Sequence, residues 1–174
     1  MLPLLALAVA SCGGELPLLS GSISGVQAPP AVLYGVDFDG YRAGDHEVEV
    51  RAETAEVDLE AGLARLWEVR IRFEEPGRGP VDVEAQRAEV ELNSDDFVLS
   101  GSVEGSVGSR ERFYTSDLRY QREAERLWTD RPARLVGSRT VVRGQGLELD
   151  LRTRRLRLLG SVEAEVRSEA EAGS

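Results

Sequence analysis

The chain is poor in the residues that usually carry chemistry. It has one cysteine, Cys12, and one histidine, His46, among 174 residues. A single cysteine excludes an intramolecular disulfide and a zinc-type ligand cluster. A single histidine excludes histidine-based metal sites and triads, and an ordinary polar role suits His46 better. Lysine is absent altogether, so every side chain in the Lys+Arg count of 21 is an arginine. Against 31 Asp and Glu this leaves a net charge of −10, which disfavours a nucleic-acid partner, because phosphate backbones require clustered cations. Aromatics are scarce at 6%. The one sustained apolar run, Met1 to Ser11, is too short to span a membrane as a helix.

That run has the length of a signal-peptide hydrophobic region. It ends Val9-Ala10-Ser11-Cys12, which resembles a bacterial lipobox and implies lipidation of Cys12. Segment 1–11 is therefore expected to be a lipoprotein-type signal. Residues 12–30, rich in Gly, Ser and Pro, read as a flexible tether, 31–167 as the folded domain and 168–174 as a disordered tail.

What the rest contains is alternation. Apolar residues fall on every second position through VEVRA at 48–52 and AEVDL at 55–59, then at Trp67, Val69, Ile71 and Phe73. The pattern returns at Val81, Val83 and Ala85, at Val90 and Leu92, at Phe97 and Leu99, and at Leu147, Leu149, Leu156 and Leu158. Charged residues fill the gaps, the period-2 signature of half-buried strands. A competing helical row through Ala55, Leu59, Leu63, Leu66 and Trp67 is interrupted by Gly62, so strand is preferred. Four strand–turn–strand units align as AEVDLEAGLARLWEVRI, AEVELNSDDFVLSGSVE, SDLRYQREAERLWTDRP and LELDLRTRRLRLLGSVE, anchored on Leu59, Leu92, Tyr120 and Leu151. No such hairpin buries its own apolar face, so the units are expected to stack. The expected fold is all-β: about four repeated hairpins, with strands of about six residues, stacked as an open β-sandwich, a β-helix-like roll or a single twisted jelly roll.

No nucleophile–base pair stands out, so no enzyme is expected. Asp58, Glu91, Glu148 and Asp150 lie on the outward phase or in turns. Asp95-Asp96 and Asp37-Asp39 lack the spaced ligands of a calcium loop. Gly144-Gln145-Gly146 opens no helix and is not a dinucleotide loop, so neither metal nor cofactor is expected. The candidate functional surface is the inward apolar row: Trp67, Val69, Ile71, Phe73, Val90, Leu92, Phe97, Leu99, Leu147, Leu149, Leu156 and Leu158. Either these side chains pack against one another, or they line a groove for hydrocarbon. A chain of a dozen carbons moved out of water would supply roughly 10 kcal/mol of gross driving force, at about 0.8 kcal/mol per CH₂.

Four strings carry a family resemblance: Tyr114-Thr-Ser-Asp-Leu-Arg-Tyr120, Arg126-Leu-Trp-Thr-Asp-Arg-Pro-Ala133, Val142-Arg-Gly-Gln-Gly-Leu-Glu-Leu-Asp150 and Arg155-Leu-Arg-Leu-Leu-Gly-Ser-Val162. With Tyr41-Arg-Ala-Gly and the stretch Val48 to Val57, they resemble LptC, the periplasmic lipopolysaccharide-export protein related to OstA-type domains, over roughly residues 33–166. The resemblance implies an open jelly roll that holds the acyl chains of lipopolysaccharide. It also implies two protein partners: an inner-membrane ABC transporter complex, and a second periplasmic jelly roll joined by edge-strand addition. That family usually keeps one transmembrane helix, whereas here Cys12 points to a lipid anchor, most simply in the inner membrane. A different class of reading is a structural or adhesive β-repeat lipoprotein with a filled core and no ligand.

Overall fold

The computed structural model describes residues 29–42, 45–75, 78–108 and 111–166. The signal segment 1–11, Cys12, all but the last two tether residues and the tail 168–174 lie outside the described residues, as does the side chain of His46. The described chain is entirely strand and turn. Six long strands come first: β1 (Ala31–Arg42), β2 (Asp45–Asp58), β3 (Leu63–Glu75), β4 (Arg78–Glu91), β5 (Phe97–Val107) and β6 (Glu111–Gln121). Six short ones follow: β7 (Arg126–Thr129), β8 (Ala133–Val136), β9 (Thr140–Gly144), β10 (Gly146–Asp150), β11 (Arg155–Leu159) and β12 (Glu163–Val166). All pair antiparallel, each long strand with its sequence neighbour, and after β6 the sheet forks into β7-β10-β11 and β8-β9-β12.

The fork is the visible end of a corner that crosses the whole sheet. Residue pairing skips Gly35 in β1, Glu53 in β2, Glu68 in β3, Gln86 in β4, Gly101 and Ser102 in β5, and Ser116 in β6. The same line continues through the breaks between β7 and β8, β9 and β10, and β11 and β12. Glu68, Gly101 and Ser102 have left-handed backbone on this line, with φ of 51°, 75° and 50°. An extra unpaired residue bends a strand and reverses which phase points inward. The burial pattern records that reversal: Ala52 and Ala55, Leu66 and Val69, and Ala85 and Ala88 are buried three residues apart instead of two. The corner thus folds one meander into two half-sheets while keeping apolar side chains inside both. At the fork, buried Thr129 donates its hydroxyl to Asp117 at 3.0 Å and accepts from the Arg131 N–H at 3.0 Å.

The half-sheets meet through aromatic rings. Phe73, beyond the corner on β3, lies 5.3 Å from Tyr120 and 6.4 Å from Phe97, both on the opposite half-sheet. Outward faces carry ion pairs across neighbouring strands, such as Glu56–Arg65–Glu89, Arg72–Asp82 and Arg126–Glu148–Arg157. The hydrogen bond to Asp82 raises the Arg72 pKa above its ordinary value. Exposed pairs of this kind add little stability each, but they mark which face meets water. The sheet does not close: β1 bounds one edge, β11 and β12 the other. Val32, Leu33, Tyr34 and Phe38 are exposed on the first edge, and Leu159, Val162 and Val166 on or beside the second. The fold is an open, twisted all-β jelly roll.

Three expectations need correction. Strands are 11–14 residues long through β6, not about six, because a phase reversal at the corner mimics a strand end. All four hairpins exist, with turns at 59–62, 92–96, 122–125 and 151–154. The third anchor, however, is Arg122 rather than Tyr120, which still lies inside β6. Trp67 is not in the inward row. The slip at Glu68 separates it from Val69 and leaves it half-buried on the outward phase, opposite Thr54 and Arg87.

Candidate functional site

Between the half-sheets lies an apolar slot with a cavity volume of about 230 Å³. Its floor and walls come from β1 to β4: Leu33, Val36 and Phe38, Val48, Val50, Ala55 and Val57, Ala64, Leu66, Val69 and Ile71, then Ala88 and Val90. Phe97 and Tyr120 close it on the β5–β6 side, and Leu92, Asp95 and Arg122 stand at its rim. Small side chains create the space. Ala55, Ala64 and Ala88 occupy inward positions where a leucine would reach across toward the other half-sheet. At about 30 Å³ per water, the volume equals roughly eight waters, enough for a stretch of hydrocarbon but not for a whole lipid.

The candidate row is divided by this geometry. Val69, Ile71, Val90, Leu92 and Phe97 line the slot. Leu92 does so from a turn, where it remains 36% exposed. Phe73, Leu99, Leu147 and Leu149 are buried beside the slot rather than in its lining. Leu156 and Leu158 are half-buried on β11, packed against the core. Trp67 is excluded by its outward phase. Sequence reasoning missed the alanines, because a search for bulky apolar positions passes over the small ones that leave room. It also missed β1 as a wall, although Leu33, Val36 and Phe38 fall into a row once a slip at Gly35 is allowed.

The rim lies at the end of the sheet formed by the four hairpin turns, of which the second and third reach the slot. Gly62, Asp95, Glu125 and Arg154 occupy the fourth position of each turn, and all have positive φ. The first N–H of each later turn hangs on the turn before it: Leu92 N to Gly62 O at 2.9 Å, Arg122 N to Asp96 Oδ1 at 2.7 Å, and Leu151 N to Glu125 O at 2.9 Å. Within the first and last turns a carboxylate accepts a backbone N–H three residues on, Asp58 from Ala61 at 2.9 Å and Asp150 from Thr153 at 2.8 Å. The Thr153 bond holds the Asp150 carboxyl below its ordinary pKa. Arg122 forms an ion pair with Asp95 directly above the slot.

Elsewhere the surface offers shallow grooves over the outward charge ladders, lined by Arg51, Arg70, Arg72 and Arg112 with Glu49, Asp82, Glu84 and Glu104. Most of these groups are already paired with one another. Among the described residues, no group of three or more His, Cys, Asp or Glu is placed to hold a metal ion. Among the described residues there is no helix long and apolar enough to cross a membrane.

Comparison with known proteins fits this geometry. Residues 27–167 match the model of the family described as lipopolysaccharide-assembly, LptC-related. Among solved structures, the chain is similar to the crystal structure of LptH, the LptA-homologous periplasmic component of the lipopolysaccharide transport device from Pseudomonas aeruginosa. The TM-score is 0.53 at 12% identity, with 70% of this chain and 95% of that chain covered, a likeness of fold. No curated protein sequence matches the chain. With most of its length matched by the family model, the chain belongs to the LptC-related lipopolysaccharide-assembly family, whose members are transport proteins and not enzymes.

Proposed function

We propose that this protein is a periplasmic carrier that shelters the acyl chains of lipopolysaccharide in the slot between its half-sheets. In this reading it receives lipid from an inner-membrane ABC exporter and relays it to another OstA-like jelly roll. The observation that carries the reading is the slot itself: an apolar cavity kept open by alanines, in a chain of this family. The unpaired edges at β1 and at β11–β12 support a relay by strand addition, since exposed apolar edges are otherwise an aggregation hazard. Cys12, as the lipidated residue after a cleaved segment 1–11, would hold the carrier at the membrane through the tether 12–30. Stable anchoring takes two or more acyl chains, which lipoprotein modification provides.

The packing around Leu118, Leu127, Leu147 and Leu149, each 0% exposed, favours a second reading, a structural β-repeat with a filled interior. One experiment separates the two. A photo-crosslinking amino acid at Val90 in cells should capture lipopolysaccharide, while the same probe at the outward Glu91 should not. Capture from Glu91 alone, or from neither position, rejects the carrier.

A further inference from the structure

Of the four rim turns, three begin with leucine (Leu59, Leu92 and Leu151) and the third begins with Arg122. The exception coincides with a second irregularity. The turn before it, 92–96, carries one residue more than the others, so its link to the next turn runs through the Asp96 carboxylate instead of a main-chain carbonyl. That single bond already ties the Arg122 backbone down. The side-chain pair between Arg122 and Asp95 is therefore not needed to hold the two turns together. These side chains are 36% and 54% exposed, and they are the two charged residues in the lining of an otherwise apolar slot.

Resting on the carrier reading above, we propose that Arg122 is a headgroup-binding residue: a phosphate monoester on the sugar of a bound glycolipid takes the place of the Asp95 carboxylate on the Arg122 guanidinium, while the acyl chains occupy the slot below. A guanidinium fork matches phosphate as well as carboxylate, and a pair this exposed is weak enough to exchange. Asp95 then acts as a resident stand-in, which keeps the cation neutralised while the slot is empty and disfavours lipids that bring no anion to replace it. The site takes a phosphorylated amphiphile, and it orients that amphiphile with its tails inward and its sugars over the rim.

The test uses the full-length protein with the Val90 photo-probe and two ligands: lipid A, and lipid A treated with phosphatase. Wild type should capture the phosphorylated form about tenfold better, the size expected of one charge-assisted contact. Arg122→Gln should abolish that preference, bringing capture of the phosphorylated form down to that of the dephosphorylated one. Arg122→Lys should restore part of it. Asp95→Asn should raise capture of the phosphorylated form; Asn tolerates the left-handed backbone at this position, φ 58°, so the turn persists. Equal capture of both ligands by wild type overturns the inference and leaves the carrier reading standing. A loss in Arg122→Gln that is equal for both ligands overturns it too, since that is what a purely structural role predicts. Capture of neither ligand by wild type rejects both readings at once.

Discussion

The two parts of the meander share a backbone plan and differ in what they put inside. From β2 to β4 the inward positions flanking the corner are Ala52 and Ala55, Leu66 and Val69, and Ala85 and Ala88, with Ala64 one inward step further along β3, and a slot remains between the half-sheets. From β5 onward they are Leu99, Phe113, Leu118, Leu127, Leu147 and Leu149, larger side chains all at or near zero exposure. Gly105 shows how tight this second part is: the Phe113 ring lies against it so closely that an added Cβ would sit 2.1 Å from a ring atom. The strands change character later along the chain: β1 to β6 pass the corner on one- or two-residue slips, whereas the last three strand pairs break there outright. Side-chain volume, applied to one repeated hairpin, decides whether a layer of this sheet stores free volume or fills it.

The largest expected effect contrasts the same truncation in the two parts. Leu127→Ala removes a fully buried side chain from the filled part and should cost about 4 kcal/mol, toward the upper end for such cavities. Leu66→Ala removes one that already borders open volume, and should cost about 2 kcal/mol, because fewer packing contacts are lost there. Urea unfolding of both variants gives the difference directly. Equal costs would mean that the slot collapses in solution.

Much of the fold can be read from the residues, and the failures share one cause. The aligned repeat located the four hairpins, and the alternation marked strand segments from β2 onward but not β1. What the alternation concealed was continuity. At Glu53, Glu68 and Gln86 the phase reverses on ordinary polar residues, with no Gly or Pro to separate a bulge from a turn, so one strand of 14 residues looks like two short ones. The same slip carried Trp67 to the wrong face. Arg122 escaped notice because the repeat was aligned on apolar anchors, and Tyr120 is the nearest one. Residues that matter by being small, or by breaking a repeat, leave no mark in a search for bulky periodic positions.

A second substitution turns the slot into a filled layer. Ala88→Leu adds side-chain volume to the lining, next to space that is already empty. Overpacking a filled core typically costs 1–3 kcal/mol. Here the change in stability should stay within about 1 kcal/mol, while lipopolysaccharide capture at Val90 falls about tenfold. Loss of stability without loss of capture would place the lipid somewhere other than the slot.

The smallest effect checks that the contrast is confined to the interior. Asp58 and Asp150 make the same backbone bond in the first and last rim turns, one beside the slot and one beside the filled part. Replacing either by Ala removes an exposed side-chain acceptor, so each should cost about 0.5 kcal/mol at neutral pH, and the two costs should agree. For Asp150 the pH dependence has a fixed sign. Its pKa in the folded protein is depressed by the Thr153 N–H, so its contribution is complete above the unfolded value of about 4 and fades as pH falls through the lower folded value. Wild type and Asp150→Ala should therefore differ at pH 7 and converge under strong acid, as followed by urea midpoints across that range. A gap that persists at low pH would assign the Asp150 contribution to packing of the β10–β11 hairpin, and the rim would then differ between the two parts just as the interior does.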